Sequence, residues 1–383
     1  MSFEPESRAR LTTSHERLQG WLLQEVFPRW ARQGVDAQGG FVERIERDGT
    51  ALAQPRRMRV QPRQVFAFAA APELGWRTDV RPLLRAGLQY LIRHYQRADG
   101  LFRTLINADG GSMDERALLY DQSFALLGYA AAAVALNARA EMEARALNLR
   151  HLIEQRLQAA DGTFFSDLDH RSQRETNPHM HLLEACLAWA EIGADSHWRR
   201  WVRSLVSFGL RRFIRADSGL LGESYTDAGM PSSGIAGRLI EPGHQFEWAW
   251  LLLRCDGIDA ATRPAALRMI AGAERHGVQN GFAVNALLDD LSVHDAGARF
   301  WPQTERLKAA LLAAQVTSDP RYGLMACAAA ESFFAYFNGD TPGLWFDLRT
   351  PDGRTRPSAA HASTLYHVVG AVLALHRALA SVR

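Results

Sequence analysis

The segment 241–250, Glu-Pro-Gly-His-Gln-Phe-Glu-Trp-Ala-Trp, combines acid–base side chains with the start of a helix. Pro242 and Gly243 end a loop before an apolar run, so His244 and Glu247 lie three residues apart on one face of the first helical turn. A histidine beside a carboxylate at such a place can give or accept a proton near neutral pH. The alternative is a histidine that only caps or packs, but the pattern favours a catalytic role for His244 and Glu247.

Two further segments place histidines at the start of apolar helical runs. His367 closes a Ser-Thr-Leu-Tyr-His segment and is a second candidate acid or base. In the motif His-Met-His, the second histidine, His181, is predicted to point into a pocket with Glu184 beside it, and the first, His179, is predicted to be structural. Residues two apart lie on different faces of a helix, and no metal-binding motif accompanies the pair. The sequence therefore predicts no metal site.

Other polar residues precede or open the helical runs and are predicted to contact substrate. Arg63 can stabilise a developing oxyanion through fixed hydrogen bonds, against the alternative of a surface ion pair. Asp121, in a Tyr-Asp-Gln segment, can hold a hydroxyl-rich ligand or cap its helix. The catalytic candidates are His367, His244, Glu247 and Arg63, and the substrate-binding candidates are His181, Glu184, Arg59, Asp121, Arg238, Trp301, Gln303 and Glu305.

A glycine followed by apolar residues recurs six times at a spacing of roughly 60 residues. The copies begin at Gly40, Gly100, Gly162, Gly219, Gly281 and Gly343. A helical stretch follows each copy after roughly 20 to 25 residues. These stretches begin near Arg63, Asp121, His181, His244, Gln303 and His367. Because the spacing from glycine to helix is nearly constant, the polar residues occupy equivalent positions in six similar units. A closed ring of these units would bring the equivalent positions together at a single mouth.

The stretches between the glycines predict two kinds of helix. The runs 64–71 and 247–253 are apolar nearly all round, which is typical of buried inner helices, whereas 141–158 and 197–212 are amphipathic and predict outer helices. We therefore predict an all-α fold, an (α/α)6 barrel with short β-hairpin loops at its active-site mouth, formed by residues 1–383 as a single domain. The rival is an open superhelix of helix pairs, whose repeats of about 34 to 47 residues are shorter than this one.

The composition argues against several classes of partner. Lys and Arg together number 44 against 42 Asp and Glu, with no basic block, so neither nucleic acid nor an anionic membrane is expected to bind. No apolar run approaches the roughly 20 residues that span a bilayer, and the first residues resemble no secretory signal. Three widely separated cysteines imply no disulfide framework. We expect a cytoplasmic protein that is a monomer or a homodimer.

Taken together, the motifs resemble the N-acylglucosamine 2-epimerase superfamily. The likeness covers essentially the whole chain in order, and its motifs lie at 63–65, 68–69, 120–124, 177–181, 241–250, 301–305 and 366–367. The resemblance implies the (α/α)6 barrel, a small-molecule sugar as substrate, and chemistry at C1 and C2 of that sugar without a metal or redox cofactor.

The resemblance also implies a role for each matching residue. His367 resembles the base that moves the C2 proton through a cis-enediol(ate), and His244 resembles its partner histidine, with Glu247 orienting it. Arg63 resembles the arginine near the sugar oxygens, and His181 resembles the third histidine of the pocket.

The residues that lead into the last histidine, 362–366, resemble the mannose isomerases of the superfamily more than its epimerases. The leading hypothesis is therefore isomerisation of D-mannose, and of similar aldoses such as D-lyxose, to the ketose, which is D-fructose for mannose. A sugar 2-epimerase of the N-acylglucosamine or cellobiose type is the alternative, because two histidines and an arginine serve either reaction. A glycoside hydrolase, which needs two carboxylates across the cleft, and a non-catalytic scaffold are remote alternatives.

Overall fold

The computed structural model describes residues 3–169, 171 and 173–381, and most of them are helical. In chain order the α-helices are α1 (Pro5–Trp21), α2 (Phe27–Gln33), α3 (Val60–Ala70), α4 (Arg81–Tyr95), α5 (Leu119–Ala135), α6 (Arg139–Leu157), α7 (Thr176–Ile192), α8 (His197–Phe208), α9 (Pro242–Arg254), α10 (Thr262–Gly277), α11 (Phe300–Thr317), α12 (Pro320–Ser332) and α13 (Ala362–Ala380). A π-helical segment, Leu22–Val26, joins α1 to α2, and a second, Gly209–Phe213, extends α8. Short 3-10 turns lie at Ile235–Gly237 and Phe333–Tyr336.

Six helices, α3, α5, α7, α9, α11 and α13, form an inner ring. Each packs against the next, and α13 packs against α3, which closes the ring. The remaining helices pack outside it, where α8 shows the expected pattern of one buried and one wet face. The predicted (α/α)6 barrel is thus confirmed. No described helix is long and apolar enough to cross a bilayer.

Short antiparallel strands form a collar around the end of the barrel at which the inner helices begin. In chain order they are β1 (Arg44–Ile45), β2 (Arg56–Arg57), β3 (Leu105–Ile106), β4 (Ser112–Asp114), β5 (Gln173–Glu175), β6 (Ser224–Thr226), β7 (Val278–Gln279), β8 (Phe282–Ala283), β9 (Ala286–Leu287), β10 (Val293–Asp295), β11 (Ala298–Arg299), β12 (Leu348–Arg349) and β13 (Ala360–His361). The pairs β2–β3, β5–β6 and β11–β12 link neighbouring units. The pair β1–β13 links the first unit to the last, so the collar closes with the helices.

The glycine repeat forms a tight turn after each outer helix or helix pair. At Gly100 the backbone has a φ of 86°, in the left-handed region that favours glycine, and a bridge pairs the flanking residues across the turn. Matching glycines with positive φ are Gly39, Gly162, Gly219, Gly281 and Gly343. The first copy is therefore centred on Gly39 rather than on the predicted Gly40. The apolar residue that forms the bridge, Phe41, shows which glycine is equivalent to those of the other units. It lies two residues after Gly39, and the bridged residue of each other unit lies two residues after its turn glycine.

A side-chain amide ties each of four hairpins to the first turns of its inner helix. Gln122 of α5 accepts a hydrogen bond from the backbone N–H of Phe102 at 2.9 Å and donates one to its carbonyl at 2.8 Å. The same two bonds join Gln61 to Phe41, Gln245 to Leu221 and Gln303 to Ala283. His179 takes this place in the third unit and accepts from the N–H of Phe164, which agrees with its predicted structural role. Gln303, predicted to bind substrate, serves the fold instead, because both ends of its amide are already bonded.

Replacing Gln122 with Leu tests this clamp. The change leaves a buried N–H and a buried carbonyl without partners, and each costs about 1–3 kcal/mol. We expect the free energy of unfolding to fall by roughly 2–4 kcal/mol, measured by urea denaturation. Gln155→Leu, at an exposed position of α6, is the matched control and should change it by less than about 0.5 kcal/mol. Equal effects of the two substitutions would contradict the role of the clamp.

Candidate active site

The first turns of the inner helices surround a cavity of about 330 Å³ at the collar end of the barrel. Such a volume, lined by converging polar groups, is typical of a small-molecule site. The structure brings six of the predicted residues to its wall: Arg63, His181, His244, Glu247, Trp301 and His367. The other six predicted residues lie behind this wall or outside the cavity.

His367 is buried on α13 and is held by a carboxylate from the neighbouring inner helix. Its Nδ1 donates to Glu305 Oε1 at 2.8 Å, which leaves Nε2 as the nitrogen available to a ligand. Burial lowers the pKa of His367 to about 4, since the cations Arg63 and Lys308 oppose the effect of Glu305. His367 is therefore a neutral imidazole at neutral pH and can accept a proton.

His244 lies in the same cavity with the opposite protonation state. Its Nδ1 is 2.8 Å from Glu223 Oε2. Burial by itself would lower the pKa of His244, but the charges of Glu223 and Glu241 outweigh it and raise the pKa to about 9. His244 is thus an imidazolium at neutral pH and can donate a proton.

Glu247 does not orient His244, contrary to the prediction, because Glu223 occupies that position. Among the described residues, Glu247 Oε1 has no hydrogen-bond partner, and the nearest ring nitrogen, Nδ1 of His181, lies 3.9 Å away. Burial and then the charges of Glu305 and Glu184 raise the pKa of Glu247 well above its ordinary value. Glu247 is therefore a neutral carboxylic acid in the wall of the cavity, where it can donate a hydrogen bond to a ligand.

His181 has the carboxylate neighbour that the sequence predicted. Its Nδ1 is 3.1 Å from Glu184 Oε2, and the other oxygen of Glu184 accepts a short hydrogen bond from Tyr366. Burial lowers the pKa of His181 to about 4, so this histidine is also neutral. Glu184 therefore positions His181 rather than contacting substrate, because its own oxygens are occupied.

A buried lysine, Lys308, stabilises the carboxylates behind the histidines. Its Nζ donates to Glu305 Oε2 at 2.7 Å and lies 3.8 Å from the centre of the Trp250 ring. Burial by itself would lower the pKa of Lys308, but the negative charges of Glu305 and Glu184 have the larger effect and raise it. Glu305 in turn has a pKa below its ordinary value, because Lys308 and His367 more than offset its burial. Glu305 is thus a positioning carboxylate and not a direct substrate ligand.

Arg63 is a second buried cation of the cavity, besides the protonated His244. Its Nη2 donates to the Tyr120 hydroxyl at 2.6 Å, and its guanidinium lies 4.1 Å from the Phe124 ring centre. Within the described part of the chain no carboxylate forms an ion pair with it, so its charge is available to a substrate oxygen. Arg59 and Asp121, both predicted to bind substrate, pair with each other at 2.9 Å behind Tyr120, because Asp121 is wholly buried and needs a cation.

Trp301 forms the predicted aromatic wall and lies next to both His244 and His367. Its ring centre is 5.2 Å from that of His244 and 5.4 Å from that of His367. Gly243 allows this close approach, because a Cβ at that position would lie 2.5 Å from the Trp301 ring.

Arg238, also predicted to bind substrate, does not reach the cavity. Its guanidinium is turned away to Asp289 at 2.8 Å and to Asp290 at 3.2 Å, in a half-exposed ion-pair cluster. The prediction rested on its position just before the His244 loop. In the structure the side chain of Arg238 instead contacts the turn between β9 and β10, where Asp289 and Asp290 lie.

Several functional residues that the sequence analysis missed share one place in the repeat. It is the second position after the bridged apolar residue, occupied by Glu43, Thr104, Ser166, Glu223, Asn285 and Asp347. Glu223 holds His244, Glu43 holds Arg57, and Asn285 accepts from the side chain of Arg299 at 3.1 Å. The constant offset from the glycine was a signal in the sequence that could have identified these residues.

Comparison with known proteins shows the family of the chain. The model of the family described as N-acylglucosamine 2-epimerase (GlcNAc 2-epimerase) matches residues 39–371. The chain belongs to this family. One relative, named mannose-6-phosphate isomerase, from Rhizobium meliloti (strain 1021), is 41% identical, and the match covers 94% of this chain and 96% of that protein. The family therefore identifies the protein as an enzyme that acts on sugars.

Solved structures of the same fold include both reaction types. A D-mannose isomerase shares 22% identity with a TM-score of 0.84, and the match covers 96% of this chain and 97% of that one. A cellobiose 2-epimerase from Bacillus thermoamylovorans shares 18% identity with a TM-score of 0.85, covering 96% and 100%. At these identities the likeness establishes the fold alone.

The histidine pKa values predict how stability depends on pH. Because the folded pKa of His244 is raised from 6.5 to about 9, its contribution is present below pH 6.5 and is lost as pH rises through 9. His181 and His367 have pKa values lowered to about 4, so their contribution is lost as pH falls from 6.5 towards 4. We expect the Glu223→Gln variant to lose stability less steeply between pH 6.5 and 9 than the wild type, as measured by urea unfolding.

In the same variant the ring of His244 should titrate at a lower pH, followed by NMR of the imidazole resonances. Glu175→Gln, which neutralises an exposed carboxylate on β5, is the control and should leave that titration unchanged. An unchanged titration in Glu223→Gln would show that Glu223 does not set the pKa of His244.

Proposed function

We propose that the protein is an aldose–ketose isomerase that interconverts D-mannose, and similar aldoses such as D-lyxose, with the corresponding ketose. The observation that carries the proposal is the opposite protonation of His367 and His244 across one cavity, beside an arginine without a carboxylate partner among the described residues. The names of the mannose-6-phosphate isomerase relative and of the D-mannose isomerase structure support an aldose–ketose reaction on the mannose skeleton.

The reaction begins at the neutral histidine. Nε2 of His367 takes the proton from C2 of the open-chain aldose, and the electrons of that C–H bond form the C1–C2 double bond of an enediol. Because Glu305 holds the opposite nitrogen, the ring keeps one tautomer and one orientation. The imidazolium that results is stabilised by the same carboxylate.

Arg63 and the protonated His244 stabilise the negative charge that develops on the sugar oxygens. His244 donates a proton to O1 as the carbonyl is reduced to an enediol hydroxyl, and it later recovers a proton from O2. His367 then returns its proton to C1, which gives the ketose. Fixed donors aimed at a developing oxyanion lower the barrier without reorganisation, and the N-termini of the inner helices add to this field.

A sugar 2-epimerase is the second candidate, and one observation favours it. His181 is a further neutral histidine in the cavity wall and could return the proton to the opposite face of C2. One base on one face gives isomerisation, whereas two groups on opposite faces give epimerisation. The identity of the first product therefore decides between the two reactions.

Three further properties belong to this proposal. The reaction needs no metal, because Arg63 and the protonated His244 supply the positive charge. The single barrel is the whole catalytic unit, active as a monomer or homodimer. The balanced composition and the reduced state expected of its cysteines fit a cytoplasmic enzyme.

Replacing His367 with Asn tests the base. The amide can still bond Glu305 but cannot accept the C2 proton, so kcat should fall by about 10²-fold or more in a coupled ketose assay. His294→Asn, an exposed histidine on β10, is the control and should keep wild-type activity within about twofold. Activity of His367→Asn within tenfold of the wild type would remove His367 from the role of base.

Incubation with D-mannose in D2O, with a chelator present and NMR detection, tests the reaction itself. Fructose as the first product is expected for the isomerase, with deuterium at C1 in the fraction of turnovers in which the proton on His367 exchanges with D2O before it is returned. Glucose as the first product would identify a 2-epimerase and replace the proposal. Loss of activity with the chelator that added metal restores would contradict the metal-free chemistry.

A further inference from the structure

The outer part of the cavity holds two arginines, Arg57 and Arg299, that the proposed reaction does not use. Arg57 lies on β2, just before α3, and Arg299 directly precedes α11. Each has a carboxylate partner, Glu43 for Arg57 and Glu241 for Arg299, and Glu241 lines the same cavity.

Arg57 and Arg299 lie at the outer end of the cavity, away from the reacting carbons. His367 and Arg63, which act on C1 and C2, are only 6% and 5% exposed, so they form the deep end. The side chains of Arg57 and Arg299, which line the same cavity, are 37% and 41% exposed. An open-chain aldose with C1 and C2 at the deep end therefore directs C5 and C6 towards these arginines.

Both arginines are fixed along one edge and leave the other edge unused. Arg57 donates from Nε to Glu43 Oε1 at 2.6 Å, and its Nη2 bonds the same oxygen. Arg299 donates from Nε to Asn285 and from Nη2 to Glu241 Oε2 at 2.8 Å. In the part of the chain that the structure describes, Nη1 of each has no hydrogen-bond partner. A rigid guanidinium with free donors suits a tetrahedral oxyanion.

The carboxylates that hold the arginines are less exposed than the arginines themselves. Glu241, which holds Arg299, also lines the cavity, and its side chain is 24% exposed against 41% for Arg299. The side chain of Glu43 is only 4% exposed while that of Arg57 is 37% exposed, so this pair hides its anion and presents its cation. Ser363, in the first turn of α13, lines the same cavity, and no side chain caps the start of this helix. Uncapped N–H groups at a helix start also favour an anion.

We propose that the substrate is an aldose 6-phosphate, with its phosphate held between Arg57 and Arg299 next to Ser363. The inference rests on the proposed function and names its substrate class. A phosphate offers three oxygens and a charge near −2, which match two separate guanidinium edges and a helix start, whereas the single hydroxyl group at C6 of an unmodified hexose cannot accept hydrogen bonds from all of these donors.

The test compares D-mannose 6-phosphate with D-mannose as substrates of the full-length enzyme. We expect the wild type to have a kcat/KM at least about tenfold higher for the phosphorylated sugar. Arg57→Gln and Arg299→Gln should each raise KM for mannose 6-phosphate about tenfold or more, while kcat/KM for mannose changes by less than about threefold. Arg238→Gln, a similarly exposed and ion-paired arginine outside the cavity, is the matched control and should change neither substrate.

Inorganic phosphate gives an independent measurement. It should inhibit turnover of mannose competitively in the wild type and much more weakly in Arg299→Gln. Because Arg57→Gln leaves Glu43 buried without its cation, the double variant Glu43→Gln with Arg57→Gln replaces it if the single variant does not fold.

Three results would overturn the phosphate site: preference of the wild type for unphosphorylated mannose, equal losses on both sugars in the variants, or no inhibition by inorganic phosphate. Failure of the proposed function looks different. In that case neither sugar gives a ketose and neither exchanges its C2 proton in D2O, whatever the state of the arginines.

Discussion

The position at which each inner helix begins is the constraint on which the rest of this structure depends. In four units a glutamine amide bonds both backbone groups of one hairpin residue, as Gln245 does with Leu221, and in a fifth unit His179 takes its place. The clamp fixes the first turn of the helix against the hairpin of its own unit. Ring closure through α13 and α3 then makes these first turns face one another. Chemistry is therefore concentrated at the collar end, where the chain is held by specific hydrogen bonds.

His367 and His244 differ in charge because their carboxylates differ in what else they contact. Glu305 accepts from Lys308 as well as from His367, so much of its charge is already neutralised and burial keeps His367 neutral. Glu223 accepts hydrogen bonds from backbone and hydroxyl groups but has no lysine beside it, so its charge acts on His244. One cavity thus holds a neutral and a protonated histidine.

Residues at one position of the repeat bind different side chains in different units of the ring. The second residue after the bridged apolar residue is Glu223 behind a histidine, Glu43 behind an arginine and Asn285 behind another arginine. Each of them fixes the side chain that stands at the cavity. In these three units the same repeat position therefore supports a side chain in the cavity wall, and the residue type at that position decides whether the support is a carboxylate or an amide.

The sequence by itself determined the inner and outer helices, the barrel and the three histidines of the cavity, because helical periodicity and turn glycines are local properties that a repeat makes visible. Only the tertiary structure decided that Glu223, rather than Glu247, holds His244, and that Glu305 contacts a histidine while Gln303 of the same helix contacts a hairpin. Those pairings join side chains from different units or faces, and they depend on ring closure and on helix rotation, which no local pattern encodes. The charge states followed from them, because a buried group takes its pKa from neighbours that only the folded chain brings together.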